Sequence, residues 1–319
     1  MCHTLCMIRT MKLLFLSASD DPAAWTCALA AHLPDVEIRV WPDVGDPAEI
    51  DAALVWKPPA GELSRFTNLG LIVSLGMGVD HILADTSLPA GVPVVRVIDP
   101  SIVSQMGEYV TAWVLYFHRQ LDLYGVNQHQ HRWSQLPAPD TGACTVGVMG
   151  LGSIGHHVAR TVASLGFPVI GWSRAPKHAD GVEILHGPSA LPTFLSRCRI
   201  LVCLLPLTPQ TAGIINADTL QLLPTGAYFI NCARGGHVVE ADLLRSLDSE
   251  QVAGAALDVF CQEPLPPEHP FWAHPRVHVT PHIAGLTNPR TAAPQVIENL
   301  RRFNSGQELL DRIDLSRGY

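Results

Sequence analysis

Three residues carry the chemistry that this sequence advertises. Arg234 stands in "INCARGG", Glu263 in "LDVFCQEPLP" and His282 in "HVTPHIAG". Each falls just past an apolar run that reads as a strand, where polar side chains of a parallel sheet face a ligand. A histidine is the natural proton donor near neutral pH. A carboxylate on its far nitrogen fixes the tautomer and favours the protonated ring. An arginine holds a substrate carboxylate and steadies charge growing on a carbonyl oxygen. Together they suit reduction of a 2-oxo acid: hydride to C2, proton to its oxygen. Taken singly, each residue also fits a loop, turn or strand-capping role.

A hydride needs a carrier, and "TVGVMGLGSIGHHVARTVASLG" supplies its seat. Gly150, Gly152 and Gly155 form G-x-G-x-x-G between a strand and a helix, the context that gives the pattern meaning. Gly150 permits the tight turn, and Gly152 lets a pyrophosphate reach the backbone of Leu151, Ser153 and Ile154. Gly155 lets helix and strand pack closely. The next strand ends in Trp172-Ser173-Arg174, with Lys177 beyond. An NAD site would place Asp or Glu there to bind the ribose 2′-hydroxyl. Its absence, with Ser173, Arg174 and Lys177 as a 2′-phosphate seat, points to NADP(H), with NAD(H) possible as a second cofactor. Read otherwise, Arg174 and Lys177 are solvated loop charges.

These residues need a scaffold. Apolar runs at 12–17, 37–41, 52–57, 71–76 and 92–97 read as strands of one unit. Those at 145–150, 168–173, 199–206, 227–234, 254–260 and 277–282 read as strands of another. Alternation with helical patterns predicts two doubly wound parallel α/β domains: a flavodoxin-like substrate domain and a Rossmann-type cofactor domain, with a cleft between. Val103, Met106, Val110, Val114, Phe117 and Leu121 recur at helical steps and predict one long amphipathic helix. The expected domains are 1–102 with 290–319, and 103–289.

Composition narrows the partners. The chain has 319 residues, 47% of them hydrophobic, and a formal net charge of −8. Such a surface attracts neither nucleic acid nor an anionic membrane. No apolar run reaches the roughly 18 residues of a membrane span. Residues 1–10 read as an extension, with Met11 an alternative start, and the expected location is the cytoplasm. Eight cysteines at irregular spacing, Cys144, Cys198, Cys203 and Cys232 among them, read as free thiols. Cys2, His3 and Cys6 lack a second ligand pair for a metal.

The ordered segments "GLGSIG", "LPLTPQT", "NCARGG", "ALDVFCQEPLP" and "TPHIAG" make the chain resemble the D-isomer-specific 2-hydroxyacid dehydrogenases over nearly its whole length. "ALVWKPP", "SLGMGVDHI", "GWSR", "GVEILHG" and the terminal "RGY" resemble the glyoxylate/hydroxypyruvate reductase A branch. The resemblance implies the Arg234, Glu263 and His282 set. It implies Asp258 near the nicotinamide carboxamide, and Pro206, Thr211, Cys232 and Ala233 along the cofactor. It also implies backbone N–H groups of Leu75, Gly76, Met77 and Gly78 on the substrate carboxylate, as glycine-rich nests suit anions. Trp56 and Lys57 would wall that pocket, although Trp56 fits core packing equally. A homodimer through the helix near 104–125 is implied, with Trp133 on the arm beyond it. Arg290 fits either a substrate contact or a surface charge. The implied reaction is NADPH-dependent reduction of glyoxylate and hydroxypyruvate. The rivals are a larger 2-keto acid and a non-catalytic NAD(P)-sensing scaffold.

Overall fold

The computed structural model describes residues 10–178 and 181–314. Cys2, His3, Cys6, Asp180 and the terminal "RGY" lie outside them. The chain divides into two compact units, one running to Ile102 and resuming at Leu286, the other spanning Val103–Gly285.

The first unit has five strands: β1 (Met11–Ser17), β2 (Val36–Val40), β3 (Ala52–Trp56), β4 (Leu71–Ser74) and β5 (Val94–Arg96). They are parallel, in the order β2-β1-β3-β4-β5. That is the flavodoxin-like order. Helices α1 (Pro22–Ala30) and α2 (Asp80–Leu83) belong to it. The central strands are apolar on both sides, because the sheet has a core on each face. One core joins Leu13, Phe15 and Leu54 to Trp25 and to Val296 and Leu300 near the C-terminus; the other joins Leu14, Val55 and Ile72 to Phe66 and Ile82.

The second unit opens with α3 (Pro100–His118), most of which it contains, and α4 (Leu121–His129). Strand β6 (Val146–Met149) leads into α5 (Ser153–Ser164), followed by β7 (Val169–Ser173), β8 (Glu183–His186) and α6 (Leu191–Leu195). Then come β9 (Ile200–Cys203), α7 (Ala217–Gln221), β10 (Ala227–Asn231), α8 (Glu240–Asp248), β11 (Val252–Leu257) and β12 (Val277–Val279). All seven strands are parallel, ordered β12-β11-β10-β9-β6-β7-β8. The chain returns to the first unit with α9 (Pro289–Asn304).

Three details differ from the sequence reading. The long helix is two: Gln120 takes the left-handed conformation at φ 57° and separates α3 from α4. Met106, Val110, Val114 and Phe117 are buried on α3, but Leu121 lies beyond the break and is exposed. Strand β8 has no counterpart in the reading, since this edge strand holds no fully buried residue and lacks a clean apolar period. The chain re-enters the first unit at Leu286 rather than 290, because Thr287 and Asn288 bond to that unit's Leu75 and Asp99.

Among the described cysteines none forms a disulfide; Cys144, Cys198, Cys203 and Cys232 are buried, and Cys27 and Cys261 are exposed. Burial pushes the Cys144 thiol up to about 11 and the Cys203 thiol up to about 12, so both stay protonated. The described residues contain no cluster of three or more metal-ligating side chains. No described helix is long and apolar enough to cross a membrane.

Candidate active site

The phosphate turn is set by sterics. Gly150 has φ +95°, and a Cβ there would meet the Leu204 carbonyl oxygen at 2.6 Å. A Cβ on Gly155 would lie 1.8 Å from the Gly150 oxygen. Both positions therefore demand glycine. Gly152 is different: its backbone is extended, and a Cβ would meet nothing within 4 Å. It caps α5 without any side-chain hydrogen bond, and the first turn holds no acid. The leading N–H groups, Ser153 and Ile154 among them, have no partner within the helix. An open glycine beside an uncapped helix start fits a pyrophosphate.

The specificity segment lies at the end of β7. Trp172 turns into the core and donates to the Gly187 carbonyl at 3.0 Å. Ser173 is also buried, and its hydroxyl donates to the Ala175 carbonyl at 2.8 Å. Its hydrogen is thus spent on shaping the loop, where the sequence reading had it donating to a phosphate. Arg174 and Lys177 are exposed on that loop. Lys177 Nζ donates to the Leu151 carbonyl at 2.7 Å, so the loop is fastened to the phosphate turn itself. Pro206 is exposed, and Thr211 Oγ1 donates to its carbonyl at 2.7 Å, closing the turn after β9. Cys232 and Ala233 are buried after β10.

The three candidate catalytic residues follow three adjacent strands. Arg234 comes after β10, Glu263 after β11 and His282 after β12. His282 Nδ1 and Glu263 Oε2 are 2.8 Å apart. The other carboxylate oxygen accepts from the Phe260 N–H at 3.1 Å, which fixes the plane of the acid. Nδ1 is the ring nitrogen that faces Glu263. His282 sits at φ +56°, a costly conformation for a residue with a side chain. The surroundings enforce it. Its N–H donates to the Asp258 carbonyl at 2.9 Å. The next two N–H groups, of Ile283 and Ala284, each donate to an Asp258 carboxylate oxygen at 2.8 Å.

Asp258, which the resemblance sets near the nicotinamide carboxamide, also has a task within the chain: the residue is 1% exposed and its carboxylate accepts from its own loop. Thr280 Oγ1 also donates to it at 2.7 Å, and the Tyr109 hydroxyl lies 2.6 Å from Thr280 Oγ1. Burial raises the Asp258 pKa, while Thr280, the two N–H groups and the positive field of His282 oppose the rise. Asp258 is the anchor of the histidine loop. Tyr109 and Thr280 carried no sequence signal, because α3 and β12 are brought together only by the fold.

The glycine loop after β4 belongs to the first unit. Ser74, fully buried, shares its hydroxyl proton between the Gly76 and Gly78 carbonyls at 3.0 and 3.1 Å. Thr287 Oγ1 donates to the Leu75 carbonyl at 2.7 Å. In a planar peptide a carbonyl held one way directs the following N–H the other way. The N–H groups of Gly76, Met77 and Val79 are thus aimed away from those anchors. The Trp56 ring lies where a Gly76 Cβ would be, 2.3 Å from that position, and meets His81 edge-on with centroids 4.4 Å apart. Trp56 is half-buried and Lys57 exposed. Arg290 is exposed in the first turn of α9, and Trp133 is wholly exposed on the arm after α4.

This geometry has known counterparts. Residues 111–284 match the profile of the D-isomer specific 2-hydroxyacid dehydrogenase NAD-binding domain. The chain belongs to the D-isomer-specific 2-hydroxyacid dehydrogenases. The dehydrogenase is 43% identical over 314 residues to a glyoxylate/hydroxypyruvate reductase A of Yersinia enterocolitica, covering 97% of this chain and 100% of that one. Among solved structures, it is similar to a D-isomer specific 2-hydroxyacid dehydrogenase of Xanthobacter autotrophicus Py2 in complex with NADPH and MES. That match has TM-score 0.91 and 46% identity, over 97% and 100% of the two chains. An NADPH-dependent glyoxylate/hydroxypyruvate reductase of Sinorhizobium meliloti, in complex with NADP and sulfate, gives TM-score 0.90 and 39% identity over the same shares. The dehydrogenase is thus an oxidoreductase of the nicotinamide-dinucleotide class, built on two parallel-sheet domains.

Proposed function

We propose that this dehydrogenase reduces small 2-oxo acids with NADPH, glyoxylate to glycolate and hydroxypyruvate to D-glycerate. The observation that carries the reading is the 2.8 Å pair of His282 Nδ1 and Glu263 Oε2, past strands β12 and β11, with Arg234 past the neighbouring β10. NADPH supplies the hydride when bound. Ser153 and Ile154 at the start of α5 hold its pyrophosphate, and Arg174 with Lys177 receives its 2′-phosphate. Lys177 would leave the Leu151 carbonyl to do so. Arg234 pairs with the substrate carboxylate and steadies charge on the carbonyl oxygen. Protonated His282 gives its Nε2 proton to that oxygen, while Glu263 keeps the ring in the required tautomer. The N–H groups of Gly76, Met77 and Val79 take the substrate carboxylate, with Trp56 and Lys57 alongside; the Leu75 N–H, expected among them, is spent on the Val55 carbonyl at 2.9 Å. NADP-bound and NADPH-bound relatives support the cofactor, and the named reductases support the substrates.

The test is steady-state reduction of both acids with each cofactor, beside phenylpyruvate as a bulky competitor. NADPH should exceed NADH in kcat/KM, and equal values would refute the cofactor assignment. Arg174→Asp should weaken NADPH far more than NADH. His282→Ala should lower kcat by about 10²-fold or more with NADPH binding nearly intact. Retained turnover would refute the acid role.

The exposed apolar residues Leu115, Leu121, Leu123 and Val126 on α3 and α4, with Trp133 beyond, support a homodimer through this face. Sedimentation of the wild type against Leu121→Asp tests it.

A further inference from the structure

Arg234 is held by its backbone from two sides. Its carbonyl accepts Asn231 Nδ2 at 3.0 Å, and His237 Nδ1 lies 3.0 Å from the same oxygen. A carbonyl oxygen only accepts, so His237 Nδ1 carries the proton. The His237 N–H donates to that oxygen as well, at 3.3 Å. Asn231 is the last residue of β10, and its Oδ1 receives the Ala233 N–H at 3.2 Å. Asn231 and His237 therefore stand on opposite sides of the 232–236 turn, and both close on one atom of Arg234. Both are 0% exposed.

The turn is braced elsewhere. A Cβ on Gly235 would lie 1.9 Å from the Phe260 carbonyl carbon, so the turn is pressed against the backbone that leads to Glu263. Downstream, Gly213 N–H donates to the Gly236 carbonyl and Ile215 N–H to the His237 carbonyl, both at 2.9 Å. Filling this space does not call for an imidazole: an aliphatic side chain would be cheaper to desolvate. What the imidazole adds is a donor aimed at the oxygen that fixes the Arg234 Cα.

We propose that His237 is a positioning residue for Arg234, acting with Asn231 as a two-sided clamp on its carbonyl. The proposal rests on the role given to Arg234 above. A guanidinium that must meet a carboxylate in a fixed orientation depends on where its Cα is held. An error near 1 Å at such a site costs about 10²-fold.

The experiment is a double-mutant cycle read by 2-oxo acid kinetics and by NADPH affinity from fluorescence. His237→Leu removes the donor, and kcat/KM for glyoxylate should fall about ten- to a hundredfold with NADPH affinity unchanged. His237→Asn places an amide nitrogen where Nδ1 stands, and should stay within about threefold of wild type. His237→Gln carries its amide past the carbonyl and should lose as much as the leucine variant; it is the comparison to use if that variant does not fold. On an Arg234→Ala background, His237→Leu should cause no further loss, because the clamp then has nothing to position. Additive losses, or equal losses for the asparagine and leucine variants, would overturn the clamp and leave the Arg234 role standing. Full turnover by Arg234→Ala alone would overturn that role and the clamp with it.

Discussion

The two glycine turns, 150–155 and 75–78, solve one problem in opposite ways. In the proposed function each presents backbone N–H groups to an anion. The first is shaped from within, since Gly150 and Gly155 sit where any side chain would strike main-chain oxygen of the same unit. The second is shaped from outside. Ser74 and Thr287 hold its carbonyls by hydrogen bonds, and Thr287 lies 212 residues away from Leu75. A turn made by exclusion should fail abruptly when altered. A turn made by hydrogen bonds should weaken in steps.

Gly155→Val gives the largest expected effect. Its Cβ would lie 1.8 Å from the Gly150 oxygen, so the strand–helix junction must open. A loss of about 3 kcal/mol or more in stability is expected, with no measurable NADPH binding. A folded variant that binds NADPH normally would erase the distinction between the turns. Ser74→Ala comes next, leaving two carbonyls without their donor at a cost of about 1–3 kcal/mol. KM for the 2-oxo acid should rise while NADPH affinity holds, as measured by kinetics and fluorescence titration. Gly152→Ala sharpens the contrast within the first turn. Its backbone suits alanine and the space is open, so melting should be unchanged or slightly later. Dinucleotide affinity should still fall about tenfold, roughly 1.4 kcal/mol, because the methyl group stands where the pyrophosphate approaches. Thr287→Val is the mildest, removing one bond worth about 0.5–1.5 kcal/mol and raising KM by a few fold.

The same contrast explains what could be read from the sequence. Gly150, Gly152 and Gly155 are close along the chain, and the strand and helix around them have their own periodicities. Arg234, Glu263 and His282 were legible as strand-end residues, because the apolar runs before them locate the strand ends. The interaction of His282 with Glu263 needed only the adjacency of β11 and β12. Ser74 was masked by its apolar neighbours in "IVSLG". Thr287 and Tyr109 act on partners far away in sequence, so no local pattern marks them. Asp258 is legible in "ALDVF" through the resemblance, but its hydrogen bonds to 280–284 become visible only with the backbone path at His282. Strand β8 escaped because an edge strand needs no apolar stripe. The division of α3 from α4 escaped because a single left-handed residue, Gln120, leaves the side-chain pattern almost unbroken.

The return of the chain at Leu286 has a consequence during synthesis. The core of the first unit includes Ala292, Ala293, Val296, Ile297 and Leu300 of α9, packed with Leu13, Phe15 and Trp25. The five-stranded sheet is translated before the second unit, yet the helix that covers one face of it is translated after that unit. The contiguous second unit, from Val103 to Gly285, is complete earlier. The middle of the polypeptide is therefore expected to be native while its beginning still waits, its apolar face open to chaperones. A nascent chain stalled before residue 286 should show a protease-resistant middle and a cleavable amino-terminal part, and extending it past Asn304 should protect both.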